Sequence, residues 1–93
     1  MEPRPIYEIA AEIRREWKNV YFGAVPYLDA LMSMTSGSDA YGLDPGYSII
    51  NYFFANASTF RGARAKELKY ELALHLPEPY RKSALKKYKP KGR

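Results

Sequence analysis

The sequence predicts an all-α protein: a compact single-domain bundle of about four helices, followed by a short basic C-terminal helix or flexible tail. Three observations carry that expectation. Apolar residues recur at helical spacing in several separate stretches, and no stretch keeps the two-residue alternation of a half-buried strand. Proline and glycine fall at or between the ends of the periodic stretches. Short connections between such helices favour antiparallel neighbours.

The first stretch runs from about Ile6 to Val20. Ile6, Ile9, Ala10, Ile13, Trp17 and Val20 share one side at helical pitch, while Glu8, Glu12 and Arg15 take the other, so one stripe is buried. Gly23 and Pro26 break the pattern, and Pro26 suits the first turn of a second helix, where its missing N–H has no intrahelical partner. Along that helix, to about Met34, apolar residues cover most of the circumference, which predicts an enclosed element. The segment from Thr35 to Asp44 is rich in turn-forming residues and is the longest loop. Asp44-Pro45 then reads as a helix start, the aspartate capping and the proline in the first helical position. Tyr47, Ile49, Ile50, Phe53, Phe54 and Ala57 give the third helix a wide inward arc at the centre of the core. Ser58 or Thr59 is expected to cap a fourth helix to about Leu76, which Pro77 and Pro79 stop. Its stripe is Ala65, Leu68, Leu72 and Leu76. Ala63, Tyr70 and Leu74 form a second apolar face that needs a cover: another helix of the bundle first, the tail folding back second, a partner protein third.

Charge divides the chain into a helical domain, 1–79, and a basic tail, 80–93. The tail holds Arg81, Lys82, Lys86, Lys87, Lys89, Lys91 and Arg93 and no acid, whereas the first 79 residues carry eight basic residues against ten acids. The net charge of +5 therefore belongs to the tail. Tyr80, Ala84, Leu85 and Tyr88 are spaced to line one side of a short helix there, and the terminal residues are expected to be disordered.

A chain of 93 residues buries about 64 % of its unfolded surface by size scaling, enough for one core. It contains no cysteine, which excludes disulfides, thiolate metal sites and a cysteine nucleophile. The lone histidine, His75, excludes multi-histidine metal centres, and its place near the end of the fourth helix suits a cation at the negative pole of the helix dipole. Asp39 and Asp44 read as turn and cap residues, not a calcium loop, and Gly37, Gly42 and Gly46 follow no strand and make no phosphate-binding loop. No cofactor, metal or catalytic residue is expected. The amino terminus carries no secretory signal pattern, and the longest uncharged stretch, 45–60, falls short of the about twenty apolar residues of a membrane span. The expectation is a soluble cytoplasmic protein.

Two functions are compatible with this inventory. The first is a non-enzymatic interaction protein that binds a protein partner, with Tyr70, Leu74, Tyr80 and Tyr88 as candidate contact residues, since tyrosine is common at interfaces. The second is a nucleic-acid-binding protein that uses Arg81 to Arg93, joined by Arg61, Arg64, Lys66 and Lys69, through phosphate neutralisation. The oligomeric state is not legible.

The strings Glu12-Ile13, Trp17, Pro26-Tyr27-Leu28-Asp29-Ala30, Tyr41-Gly42, Ile49-Ile50, Tyr52-Phe53, Asn56-Ala57, Phe60-Arg61-Gly62 and Lys66-Glu67-Leu68-Lys69 resemble small uncharacterised proteins of bacteriophages and prophage-like elements, mainly of Gram-positive and actinobacterial hosts. The resemblance spans Ile6 to Leu76, omits the tail, and departs at Phe60, where tryptophan is expected. It implies a mobile-element origin, a compact helical domain, a host or phage protein as the partner and the cytoplasm of the bacterial host as the location. It carries no activity and no site residues.

Overall fold

The computed structural model describes residues 3–38, 40–41 and 44–90. Helix α1, Ile6–Glu16, buries the expected stripe, with Ile6, Ile9, Ala10 and Ile13 fully enclosed and Trp17 closing its C-terminal end. No side chain caps its start. Instead the amides of Ile6 and Tyr7 donate to the carbonyls of Thr35 and Met34, at 2.9 and 2.8 Å, so a later loop satisfies the N–H groups that the helix cannot. A 3-10 turn, Phe22–Ala24, leads into α2, Val25–Leu31, with Pro26 in the first turn as expected.

Helix α2 is shorter and less enclosed than its composition predicts. Tight bonds from Ser33 to the Ala30 carbonyl and from the Met34 amide to the Leu31 carbonyl close it before Met34. Leu28, Ala30 and Leu31 face the core, but Val25, Pro26 and Met32 are exposed, because only one side of this seven-residue helix has neighbours. In the following loop Gly37 is buried against the end of the fourth helix. A Cβ there would lie 2.0 Å from the His75 carbonyl oxygen, so only glycine fits that approach.

Two short strands, β1 (Ala40–Tyr41) and β2 (Asp44–Pro45), pair antiparallel with Tyr41 opposite Asp44. This two-residue ladder is the one sheet among the described residues. It moves the start of the third helix, α3, to Gly46–Ala55, with Pro45 extended in the cap position and no side-chain cap. Ile49, Ile50 and Phe53 are buried at the centre, and Phe54 is half-buried.

Helix α4, Ala63–Ala73, begins later than the expected Ser58 or Thr59 cap. Ala57 and Phe60 are both buried, and the Phe60 amide bonds back to the Ala57 carbonyl at 3.1 Å, so 57–60 is a turn that fills the core. The chain then reaches Gly62 at φ +112°, a left-handed conformation that favours glycine, before it can enter the helix. Ala65, Leu68 and Leu72 are buried as expected, and Leu76 is buried just beyond the helix. Pro77 and Pro79 separate α4 from α5, Tyr80–Tyr88, and the Glu78–Pro79 peptide bond is cis.

The molecule is compact and helical. Helix α4 is its spine, with α1 on one side and α5 on the other, and α2 pairs with α3. The described part of the basic segment is helical. Ala84 and Leu85 pack against the core, and Tyr88 meets Phe54 with ring centroids 4.9 Å apart. The second apolar face of α4 therefore lies in partly covered ground: Tyr70 and Leu74 are half-buried, and Ala63 is exposed. No helix among the described residues is long and apolar enough to cross a membrane.

Candidate functional site

Charge is handled in two ways on the two sides of α4. Towards α1, Arg4 reaches Glu71 through two bonds of 2.7 and 2.8 Å and Glu12 at 3.0 Å. Glu12 also accepts from Arg64, which spans 3.0 Å to Glu67. The Arg64 hydrogen bond, reinforced by Arg4, holds the Glu12 carboxyl below the usual range. His75 belongs to the same seam. Its Nε2 lies 2.7 Å from the Arg4 carbonyl, and since a carbonyl only accepts, Nε2 carries the hydrogen and donates. The histidine joins the N-terminal segment to the end of α4.

Towards α5, Lys69 and Lys87 have no carboxylate partner among the described residues. Lys69, one turn before the end of α4, is only 7 % exposed. Its ammonium donates to the carbonyls of Ala57 and Phe60, both at 2.8 Å, and lies over the rings of Phe60 and Tyr88 at 5.8 and 5.5 Å. Burial, and then the nearby charge of Lys87, push its pKa down. Arg61, Lys66, Lys69 and Lys87 line one cavity of about 230 Å³, with Phe60 and Tyr88 as its aromatic walls and no acid in the lining.

Of the residues assigned to nucleic acid, Arg81, Lys82, Lys86, Lys87 and Lys89 are exposed on or beside α5. Arg81 pairs with Glu78 at 3.1 Å, whereas Lys82, Lys86 and Lys89 have no ion pair among the described residues. Lys91 and Arg93 lie outside the described residues. Arg64 is committed to Glu12 and Glu67, which separates it from Arg61 and Lys66 at the cavity.

Of the residues assigned to a protein partner, Tyr80 and Tyr88 line one cavity beside α5, and Tyr70 and Leu74 are not part of it. Tyr88, only 9 % exposed and packed on Phe54, is part of the molecule's own packing, which corrects its expected place at a contact surface. Tyr80 is exposed but stacks on Tyr47, at 5.9 Å. Tyr70 and Leu74 are half-buried.

A different aromatic surface lies on the α2–α3 side. Phe22 is 79 % exposed, its ring 4.8 Å from that of Tyr21. Tyr21 lies across Gly23 beside Asn56, whose amide donates to the Tyr52 carbonyl, and the Tyr52 ring meets that of Tyr27 at 5.4 Å. Exposed Val25 adjoins it. Sequence reasoning missed Tyr21 and Phe22 because they fall between helices, outside any periodic pattern. The one available signal was the bulky pair placed directly before the helix-breaking Gly23. Lys69 was missed as a buried group because periodicity gives no sign that one lysine reaches inward.

No protein-family model, curated protein or solved structure matches the chain. Among the described residues no three or more histidines, cysteines or carboxylates converge as metal ligands.

Proposed function

We propose that this is a small non-enzymatic interaction protein that docks a protein partner through the aromatic surface around Phe22. The observation that carries this reading is the 79 % exposure of Phe22, on a corner where Tyr21, Val25 and Tyr52 are exposed too. A phenylalanine left in water forgoes about 1.5–3 kcal/mol of burial, and aromatic side chains dominate the energetics of protein interfaces. Tyr21 and Tyr52 add polar tips to rigid rings, which suits a surface wet in one state and dry in another. The resemblance to phage-encoded proteins points to a host or phage protein as the partner, met in the host cytoplasm. The test immobilises the full chain and identifies what it retains from host and phage-infected lysates, beside Phe22→Ser and Tyr52→Ser. The reading expects one partner that the parent retains and both variants lose, with melting temperatures unchanged. Retention by both variants would overturn it, as would no retained partner at all.

A second reading is favoured by the unopposed lysines of α5: nucleic-acid binding through backbone phosphates, with affinity falling steeply as salt rises. Truncation at Pro79 is a poor probe of it, because it also removes Ala84, Leu85 and Tyr88 from the packing. Replacing Lys82, Lys86 and Lys89 by glutamine leaves that packing in place, and an electrophoretic shift lost in this variant would support the reading.

A further inference from the structure

The cavity between the start of α4 and the end of α5 gathers like charge from three separate segments. Arg61 comes from the loop, Lys66 and Lys69 from α4, and Lys87 from α5, and no carboxylate lines the space. Lys69 sharpens the imbalance. An ammonium has three N–H donors, and Lys69 uses two on the carbonyls of Ala57 and Phe60. The third makes no hydrogen bond among the described residues and meets only ring faces, on a side chain more than nine-tenths buried at the cavity wall. Gly62, also in the lining, opens α4 without a side-chain cap, and none of the amides of residues 62–65 has a hydrogen-bond partner among the described residues. These donors lie at the positive end of the helix dipole, and Gly62 among them lines the cavity. Elsewhere in this molecule a half-buried guanidinium is met by carboxylates, as Arg4 is by Glu12 and Glu71. Here no carboxylate among the described residues meets the cations.

We propose that this cavity binds a phosphomonoester. Four cations lining one cavity, beside the unpaired amide of Gly62, favour a dianion with several acceptor oxygens over a single carboxylate. The volume, about 230 Å³, is below the roughly 300–1,000 Å³ of sites that enclose a drug-sized ligand, so a phosphoryl group enters with only the first part of its carrier. Phe60 and Tyr88 supply the aromatic wall for that carrier. The site is separate from the Phe22 surface and does not use Lys82, Lys86 or Lys89, so it stands apart from both functional readings above.

Two carriers share this chemistry, a small phosphorylated metabolite and the terminal phosphate of a nucleic-acid strand. The test follows amide resonances of the full chain at low ionic strength. The probes are inorganic phosphate, a nucleoside 5′-monophosphate, and a short single strand with and without its 5′-phosphate. The expected result is saturable shifts centred on Gly62, Ala63 and Lys66 with every probe that bears a monoester or free phosphate. The variant Lys66→Gln with Lys87→Gln keeps the Lys69 bonds to the two carbonyls, and should weaken binding roughly tenfold or more. A phosphorylated strand binding more tightly than the mononucleotide supports the proposal with a nucleic-acid end as carrier; equal or weaker binding supports it with a small molecule. The proposal fails if no shift saturates, if both strands give the same shifts spread along α5, or if the double variant, still folded by its spectrum, binds as the parent does.

Discussion

The α1–α4 seam and the α4–α5 end use the same kinds of side chain and solve opposite problems. In the seam, Arg4 and Arg64 share Glu12 and each holds a second carboxylate, so positive charge is cancelled where it stands. At the other end, Lys69 is more deeply buried than either arginine, yet carbonyl oxygens and ring faces are its only partners among the described residues. The difference teaches that a buried cation here does two separate jobs. Carboxylates fasten one helix to another, whereas the lysine fastens a turn to a helix and keeps its charge unspent. The first arrangement is self-contained, and the second is open to an external anion.

The comparison can be broken most directly at Lys69. Lys69→Ala leaves the Ala57 and Phe60 carbonyls without their donor, and relief of the buried charge offsets only part of that loss. Urea denaturation should register a loss of about 2–4 kcal/mol. Arg64→Ala, which removes partly exposed pairs, should cost about 0–1 kcal/mol. Equal losses for the two variants would mean that the carbonyl-held lysine is no more structural than the paired arginine.

Glu12→Gln tests the seam. Glu12 is 14 % exposed and serves two arginines, so its loss should cost about 1–2 kcal/mol at neutral pH. The sign of the pH effect follows from the depressed carboxyl. Its contribution is complete above the ordinary value of 4.5 and is lost as pH falls through the lowered value in the folded protein. Melting curves taken down the acid limb should therefore converge, with the parent losing its advantage over Glu12→Gln. Curves that stay parallel would show that the arginines do not hold the carboxyl down.

The smallest effect is expected on α5. Lys82 is exposed in the first turn, has no acid partner among the described residues, and opposes the helix dipole. Lys82→Glu should raise stability by about 0.3–0.5 kcal/mol at low salt, and the gain should fade as salt is added. Thermal melts at two salt concentrations check this; a destabilised variant would mean that α5 charge is already balanced.

Much of the fold was legible because it rests on helical periodicity. The Ile6–Ile13 stripe, the central place of Phe53 and the Leu68–Leu72 stripe all follow from apolar spacing and are buried. Helix starts were less legible, because they depend on contacts far along the chain. Phe60 is drawn into the core by Trp17, which delays α4 to Ala63, and the β1–β2 pairing takes Asp44-Pro45 into a strand. The candidate sites were the least legible. Composition placed the surplus charge in the tail, but the cavity takes three of its four cations from before residue 80. Arg61, Lys66 and Lys69 were legible as additions to the tail, but not their meeting with Lys87 at one cavity, because that depends on α5 packing against α4.

The stack of Trp17 on Phe60, with ring centroids 5.2 Å apart, gives the protein its own optical gauge. Trp17 is the chain's single tryptophan, so its emission has no second source to blur it. The indole also meets the edge of Phe53, while the carbonyl of Phe60 accepts from Lys69. One chromophore therefore touches both the centre of the core and the turn that forms the wall of the cationic cavity. Indole fluorescence moves to longer wavelength as the ring is wetted. Loosening of the 57–60 turn then becomes visible as a colour change, without a label and without waiting for the whole molecule to unfold.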